Sequence, residues 1–207
     1  MPLSHSVRHA PGTLGLIVIS VVCFLLFHQL GWLSVLQAFN FVPFDEFGGM
    51  IQFGEPGADF WRFVTPAFIH FSWLHLAFNS LWLWEFGQRI EQRVGTVNLL
   101  GLFLLSAGVS NGIQYLVSGP SIFGGLSGVV YAFLGFLWAA SLVRPGWIIP
   151  PPRPILLFML GWLIVGFLGV LEFLGVGAIA NGAHLGGLAV GFALGGLFAI
   201  LSRLQVR

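Results

Sequence analysis

Long apolar runs alternate along the chain with short clusters of charge, glycine and proline. Six runs approach the roughly 20 residues that a membrane-crossing helix needs. They are Leu14–Trp32, Trp73–Gln88, Val97–Val117, Leu126–Leu142, Ile155–Leu174 and Ala183–Leu201. Each is read as a transmembrane helix, spans one to six. The residues after span one, "GWLSVLQAFNF", hold no small-x-small cleavage site, so this run is expected to stay in place rather than leave as a signal peptide. The segment before it is too short for a soluble domain. The expected architecture is a single domain over residues 1–207, an all-α polytopic membrane protein.

Two connections break the rhythm. Residues Leu33–Ser72 are too many for an ordinary helix–helix loop, yet "LQAFNFVPF" and "DFWRFVTPAFIHF" are greasy and aromatic. Such a segment is expected to lie along the outer membrane interface. The stretch Leu174–Gly182, "LGVGAIANG", is short and weakly polar, and is expected to act as a lid.

Composition supports the membrane reading. Of 207 residues 57% are hydrophobic and only 7% charged, against about 25% charged in soluble domains. Mean hydropathy is +0.94. A net charge of +1 lacks the basic footprint of a nucleic-acid binder. Cys23, the sole cysteine, cannot form an intrachain disulfide.

Charge then sets the expected orientation. All basic residues are arginines, and with six spans Arg8, Arg89, Arg93, Arg144, Arg153, Arg203 and Arg207 fall on one side. The positive-inside rule makes that side cytoplasmic, with both termini on it. Arg62 is the exception, in the outer connection with Asp45, Glu46, Glu55 and Asp59. Glu85 is expected to pair with Arg89 at i+4.

In this topology spans two, four and six enter from the outer side. His75 and Asn79 begin span two, Ser127 begins span four and His184 begins span six, so all four lie at one depth. A serine in an apolar helix is ordinarily a packing residue, and His184 alone is equally well a satisfied polar contact. Ionisable groups within spans are nonetheless functional suspects. A base must come within about 2.6–3.2 Å of the hydroxyl it activates, which requires two helices to approach closely. Gly187, Gly191 and Gly195 on span six, with Gly124 and Gly128 flanking Ser127, supply small faces suited to that approach.

Further groups complete a possible acyl-transfer site. Ser127 sits in a first helical turn, where backbone N–H groups lack partners and the dipole favours negative charge. Gly125 lets the chain turn there, and His75 and Asn79 share one helix face at i, i+4. Tyr131, at i+4 from Ser127, is placed to pack on His184. No carboxylate lies at this depth on these spans, so a dyad is favoured, with Glu172 the nearest third member. His-Glu-x-x-His is missing, and the two aspartates, Asp45 and Asp59, both lie in the outer connection. A metal site from His70, His75 and His184 stays open but leaves Ser127 unused.

Taken together, "HFSWLHLAFN", "EQRVG", "GGLSGVVYA", "NGAHLGGLAVG" and the Trp61-Arg62 pair resemble the rhomboid intramembrane serine proteases, specifically the bacterial six-helix core. The resemblance implies a rhomboid-like bundle of six helices with a long interfacial loop between the first two. It implies Ser127 as nucleophile, His184 as general base, and His75, Asn79 and the Ser127 N–H as oxyanion donors. Tyr131 would support the imidazole, and Gly125, Gly128 and Gly187 the local geometry. Trp61 and Arg62 would anchor the outer loop, His70 would be structural there, and Glu91 with Arg93 would form a polar cluster beneath span two. Pro66 departs from members with a histidine near the water site, leaving Asn111, Gln114 and Asn181 to guide hydrolytic water.

The expected function is endoproteolysis of transmembrane segments near the outer face, without metal or organic cofactor. Substrates would be transmembrane proteins in a bacterial inner membrane, with lipids as surroundings. A non-catalytic helix-binding member of the same fold is the second reading, separated from the first by substitution of Ser127. A small-molecule transporter is third, disfavoured because no internal repeat with paired broken helices is visible.

Overall fold

The computed structural model describes residues 10–173 and 179–204. All six predicted spans are helical within it, with altered limits. Helix α1, Pro11–Phe24, opens with proline at its first position and continues as a π-helical turn, Leu25–Gln29. Helices α3 (Trp73–Val94) and α4 (Thr96–Ser118) follow the long connection. Next come α5 (Ser127–Val143) and α6 (Arg153–Phe167), then a single turn, α7 (Val170–Phe173), and finally α8 (Asn181–Leu204). Pro11–Gln29, α4 and α8 are long and apolar enough to cross a membrane, while α5 and α6 are apolar but shorter.

Two limits moved for identifiable reasons. The second predicted span runs on to Val94 because "RIEQRV" is polar but still helix-compatible, and it ends only at Gly95, φ +85°. The fifth stops at Phe167 rather than Leu174. Gly169, φ +69°, gives its N–H to the Gly166 carbonyl and closes the helix.

The connection before α3 is more ordered than the all-α expectation allowed. It holds helix α2 (Leu33–Phe39) and an antiparallel hairpin, β1 (Phe44–Phe47) with β2 (Met50–Phe53). The hairpin turns on Gly48-Gly49, both at positive φ (57° and 81°), which a two-residue β-turn matching strand twist requires. Two 3₁₀ turns, Phe60–Phe63 and Thr65–Phe68, lead into α3.

This loop is fastened by polar contacts to the end of α2. Arg62 Nη1 donates to the carbonyls of Gln37 (2.7 Å) and Asn40 (2.8 Å), and its Nε to Asp59 (3.0 Å). Trp61 Nε1 donates to Ala38 O at 3.3 Å and Thr65 Oγ1 to Phe39 O at 2.9 Å. A cation and two further donors thus satisfy the carbonyl end of a short helix. Buried Asn40 bridges to the α4–α5 connection, donating to Ser121 O at 3.2 Å.

At the opposite end Glu91, buried, accepts four hydrogen bonds of 2.7–2.8 Å from Gly12 N, Thr13 N, Thr13 Oγ1 and Thr96 Oγ1. It caps the start of α1 from α3. Arg93 was expected in the same cluster but stands elsewhere, its guanidinium 5.1 Å over the Trp147 ring. Residues two apart on a helix face different directions. Glu85 and Arg89 do form their i, i+4 pair.

The core is centred on α5, whose buried face includes Tyr131, Phe133, Leu134, Phe136 and Leu137. Helix α8 packs along it in parallel. A Cβ on Gly187, Gly191 or Gly195 would overlap the carbonyl oxygen of Gly128, Ala132 or Phe136 respectively. The two backbones touch at three successive levels, four residues apart on each helix, the small-residue packing suited to apolar surroundings.

This contact predicts a contrast. Gly191→Ala should destabilise the protein by about 1–3 kcal/mol through overpacking. Gly101→Ala, where nothing lies within 4 Å of the added carbon, should be neutral or slightly stabilising. Reversible unfolding in mild detergent distinguishes them.

Candidate active site

Ser127 and His184 meet at the first of those glycine levels. Ser127 precedes Gly128 and His184 lies three residues before Gly187, so one of the close backbone approaches sits beside both side chains. His184 Nε2 lies 2.8 Å from Ser127 Oγ. For Nε2 to accept the hydroxyl proton the ring must carry hydrogen on Nδ1. That nitrogen is buried with no protein partner among the described residues, and the Glu172 side chain lies outside them. Tyr131 covers the imidazole, ring centroids 4.7 Å apart, and donates its hydroxyl to Met159 O of α6 at 2.8 Å.

The turn ahead of Ser127 is tightly seated. Gly125 has φ +119°, and its N–H donates to Pro66 O at 3.0 Å. A Cβ there would stand 2.7 Å from His75 Nε2 and 3.5 Å from Asn79 Nδ2. Two side-chain nitrogens of α3 therefore converge on the turn two residues before Ser127. Ser72 caps α3, its Oγ accepting the His75 N–H at 3.1 Å, and Asn79 Nδ2 donates to His75 O at 3.1 Å. The first bond within α5 runs from Val130 N–H to Leu126 O, 2.8 Å. The N–H groups of Ser127, Gly128 and Val129 precede that ladder, at the positive end of the helix dipole. A hydroxyl with its base, beside backbone and side-chain donors, has the parts of nucleophilic acyl transfer.

His70 is fully buried and joins two backbones. Its Nδ1 donates to Phe68 O at 3.2 Å, and its Nε2 lies 3.5 Å from Leu126 N. Burial first, and then the nearby His75, push its pKa down to about 3. The neutral ring, donor on one side and acceptor on the other, is the form that fits. Its ring centroid is 5.0 Å from that of His75, yet no group of three metal-ligating side chains occurs among the described residues.

The three residues expected to guide water all have protein partners. Asn111 Nδ2 donates to Phe63 O at 2.8 Å, Gln114 Oε1 accepts from Ala183 N at 3.1 Å, and Asn181 Nδ2 donates to Gly166 O at 2.9 Å. The lid stretch 174–182 falls in part, at 174–178, outside the described residues. His5, His9, Arg8 and Arg207 also lie outside them. Sequence reasoning missed Ser110, whose Oγ would be 2.6 Å from a Cβ on Gly128. It also missed Asn40. Both are polar residues in apolar stretches, the one signal that would have marked them.

Comparison with known proteins gives a consistent picture. A rhomboid-domain family model matches residues 57–200. The chain is 38% identical over 195 residues to Rhomboid protease GlpG of Klebsiella pneumoniae, covering 93% of this chain and 66% of that protein. It is 38% identical over 187 residues to Rhomboid protease GlpG of an Enterobacter species (90% and 63%) and 37% identical over 187 residues to that of Pectobacterium atrosepticum (90% and 62%). The chain thus spans slightly less than two thirds of the length of these curated relatives.

The low pKa of His70 carries a prediction. An unfolded histidine, near 6.5, binds a proton that folded His70 refuses until about pH 3. Its contribution to stability is therefore complete above pH 6.5 and falls away as pH drops toward 3. Stability measured between pH 7 and 4 should decline less steeply for His70→Gln than for the wild type, even though the variant is weaker at pH 7.

Proposed function

This chain belongs to the rhomboid family, and from that premise we propose that it is an intramembrane serine endopeptidase acting through Ser127 and His184. The observation that carries the proposal is the 2.8 Å contact between Ser127 Oγ and His184 Nε2, part-buried at the N-terminal start of α5. The family and the apolar helices make it an integral membrane protein. Six crossings with both termini cytoplasmic, one domain throughout and a bacterial inner membrane are parts of the same proposal. Arg89, Arg93, Arg144 and Arg203 support the orientation, because their contacts gather at the end of the bundle away from Ser127. Helix α5 has 17 residues, about 25 Å, so within a core of about 30 Å its start can lie below the outer surface.

In the proposed reaction a substrate helix unwinds at that depth, since a helical carbonyl is hydrogen-bonded and shielded. Ser127 Oγ attacks the exposed carbonyl while its proton passes to His184 Nε2. The oxygen, now negative, is held by the Ser127 N–H with His75 and Asn79 as further donors. The tetrahedral adduct collapses as His184 returns the proton to the leaving amine, giving an acyl-enzyme. Water, deprotonated by His184, then adds to the ester carbonyl, and collapse releases the second fragment and restores Ser127. No metal or organic cofactor enters the proposed cycle. Tyr131 keeps the imidazole plane fixed through both proton transfers. The substrates are transmembrane proteins, and nucleic acid has no part.

Cleavage of a reporter transmembrane segment in proteoliposomes tests this. Wild type should cut and folded Ser127→Ala should not; cutting by both would sink the assignment. His75→Ala or Asn79→Ala should each lower kcat by about 10²–10³-fold, the usual cost of one oxyanion donor. Failure of the wild type to cut any of several segments would favour a helix-binding role for the same fold.

A further inference from the structure

Helix α8 starts without a capping side chain of its own. The residue before it is Ala180, and Asn181, its first helical residue, turns its amide nitrogen to the Gly166 carbonyl of α6. The N–H groups of that first turn therefore need acceptors from elsewhere. One is supplied across the bundle: Ala183 N–H donates to Gln114 Oε1 of α4 at 3.1 Å. Gln114 is buried and gives its other end, Nε2, to Ser118 Oγ at 2.8 Å. A backbone N–H can only donate, so the contact fixes the amide oxygen toward α8.

The seat is close as well as polar. A Cβ on Gly182 would stand 3.0 Å from Gln114 Oε1 and 3.1 Å from its Cα, and one on Gly186 would stand 2.6 Å from Ile113 Cδ1. The glycine face between α5 and α8 sets how near the two helices come, but a face without side chains gives little resistance to sliding along the axis. A directional bond at the helix start resists that sliding. Ala183 adjoins His184, so its height fixes that of the imidazole.

We propose that Gln114 is a positioning residue, an N-cap supplied by α4 that holds the first turn of α8 at the height where His184 meets Ser127. The proposal rests on the reading of Ser127 and His184 as the catalytic pair. A displacement of about 1 Å at such a pair costs up to about 10²-fold in rate. Gln114→Leu keeps the volume and removes the acceptor. Gln114→Glu keeps an acceptor oxygen in either protonation state, and the Ser118 hydroxyl can turn to donate to it.

The full chain in proteoliposomes is measured in three ways: amide exchange at Ala183, labelling of Ser127 by a fluorophosphonate, and kcat and KM on a reporter segment. Gln114→Leu should speed exchange at Ala183 and lower labelling rate and kcat by about tenfold to a hundredfold. KM and the unfolding temperature should stay near wild type, and Gln114→Glu should restore both kcat and protection. Protection of Ala183 unchanged in Gln114→Leu, or kcat unchanged, overturns the proposal. So does a loss that tracks unfolding temperature and is not restored by Gln114→Glu. If Gln114→Leu does not fold, Gln114→Met is the second acceptor-free variant. A wild type that neither labels nor cleaves defeats the catalytic reading instead, and exchange at Ala183 still decides whether Gln114 caps α8.

Discussion

The contact between the backbones of α5 and α8 is the constraint on which the rest depends. Three glycines of α8 face three carbonyls of α5 at a repeat of four, and the helices run in the same direction. Parallel packing places both helix starts at one end. The closest side-chain pair at that end is Ser127 with His184. With larger residues at Gly187, Gly191 and Gly195 the axes would separate, and a 2.8 Å hydrogen bond between two short reaches could not form. Parallel neighbours also need a chain segment that returns between them, and α6 with the residues up to Asn181 is that return. Its polar attachments, Tyr131 to Met159 O and Asn181 to Gly166 O, tie it to the same end of the bundle.

The connection between α1 and α3 serves the same end by holding the turn before α5. Gly125 donates to Pro66 O, Leu126 faces His70, and Asn40 holds Ser121. Those three anchors are themselves fixed, since the loop is bound to α2 through Arg62, Trp61 and Thr65. A long loop with this many backbone-directed bonds has lost the freedom its length suggests.

Much of this was legible in the sequence, for reasons that differ by element. Apolar runs give helices whatever their neighbours, so each of the six runs holds a helix, three of them long and apolar enough to cross a membrane. Glycine at steps of four named the packed faces. Helix ends were less legible, because "RIEQRV" is hydrophilic without breaking a helix and Gly169 stops one inside an apolar run. The hairpin was missed although Gly-Gly between "FDEF" and "MIQF" is a turn signal; its strands carry no clean alternation. Arg93 was placed with Glu91 by motif, while the helical turn sends it to Trp147. Bonds such as Gln114 to Ala183 had no signature, since they join residues 69 positions apart.

A polar centre in apolar surroundings faces a solvation problem, and this fold answers it with helix ends. A helix interior has no free donors, and a free side chain in hydrocarbon is costly. The start of a helix has unpaired N–H groups already, so a site built there needs few additional polar residues. Three starts converge here: α3 brings His75 under the Ser72 cap, α5 brings Ser127 after a glycine turn, and α8 brings His184. The same economy fits the surrounding polar residues, most of whose bonds go to backbone. Gln114, Asn40, Asn111 and Asn181 each meet a main-chain group at or near an end or a turn. Each such bond closes an open backbone group and fixes a direction at once. That leaves the Ser127 hydroxyl and the imidazole facing each other beside the start of α5, at the level where the backbones of α5 and α8 meet.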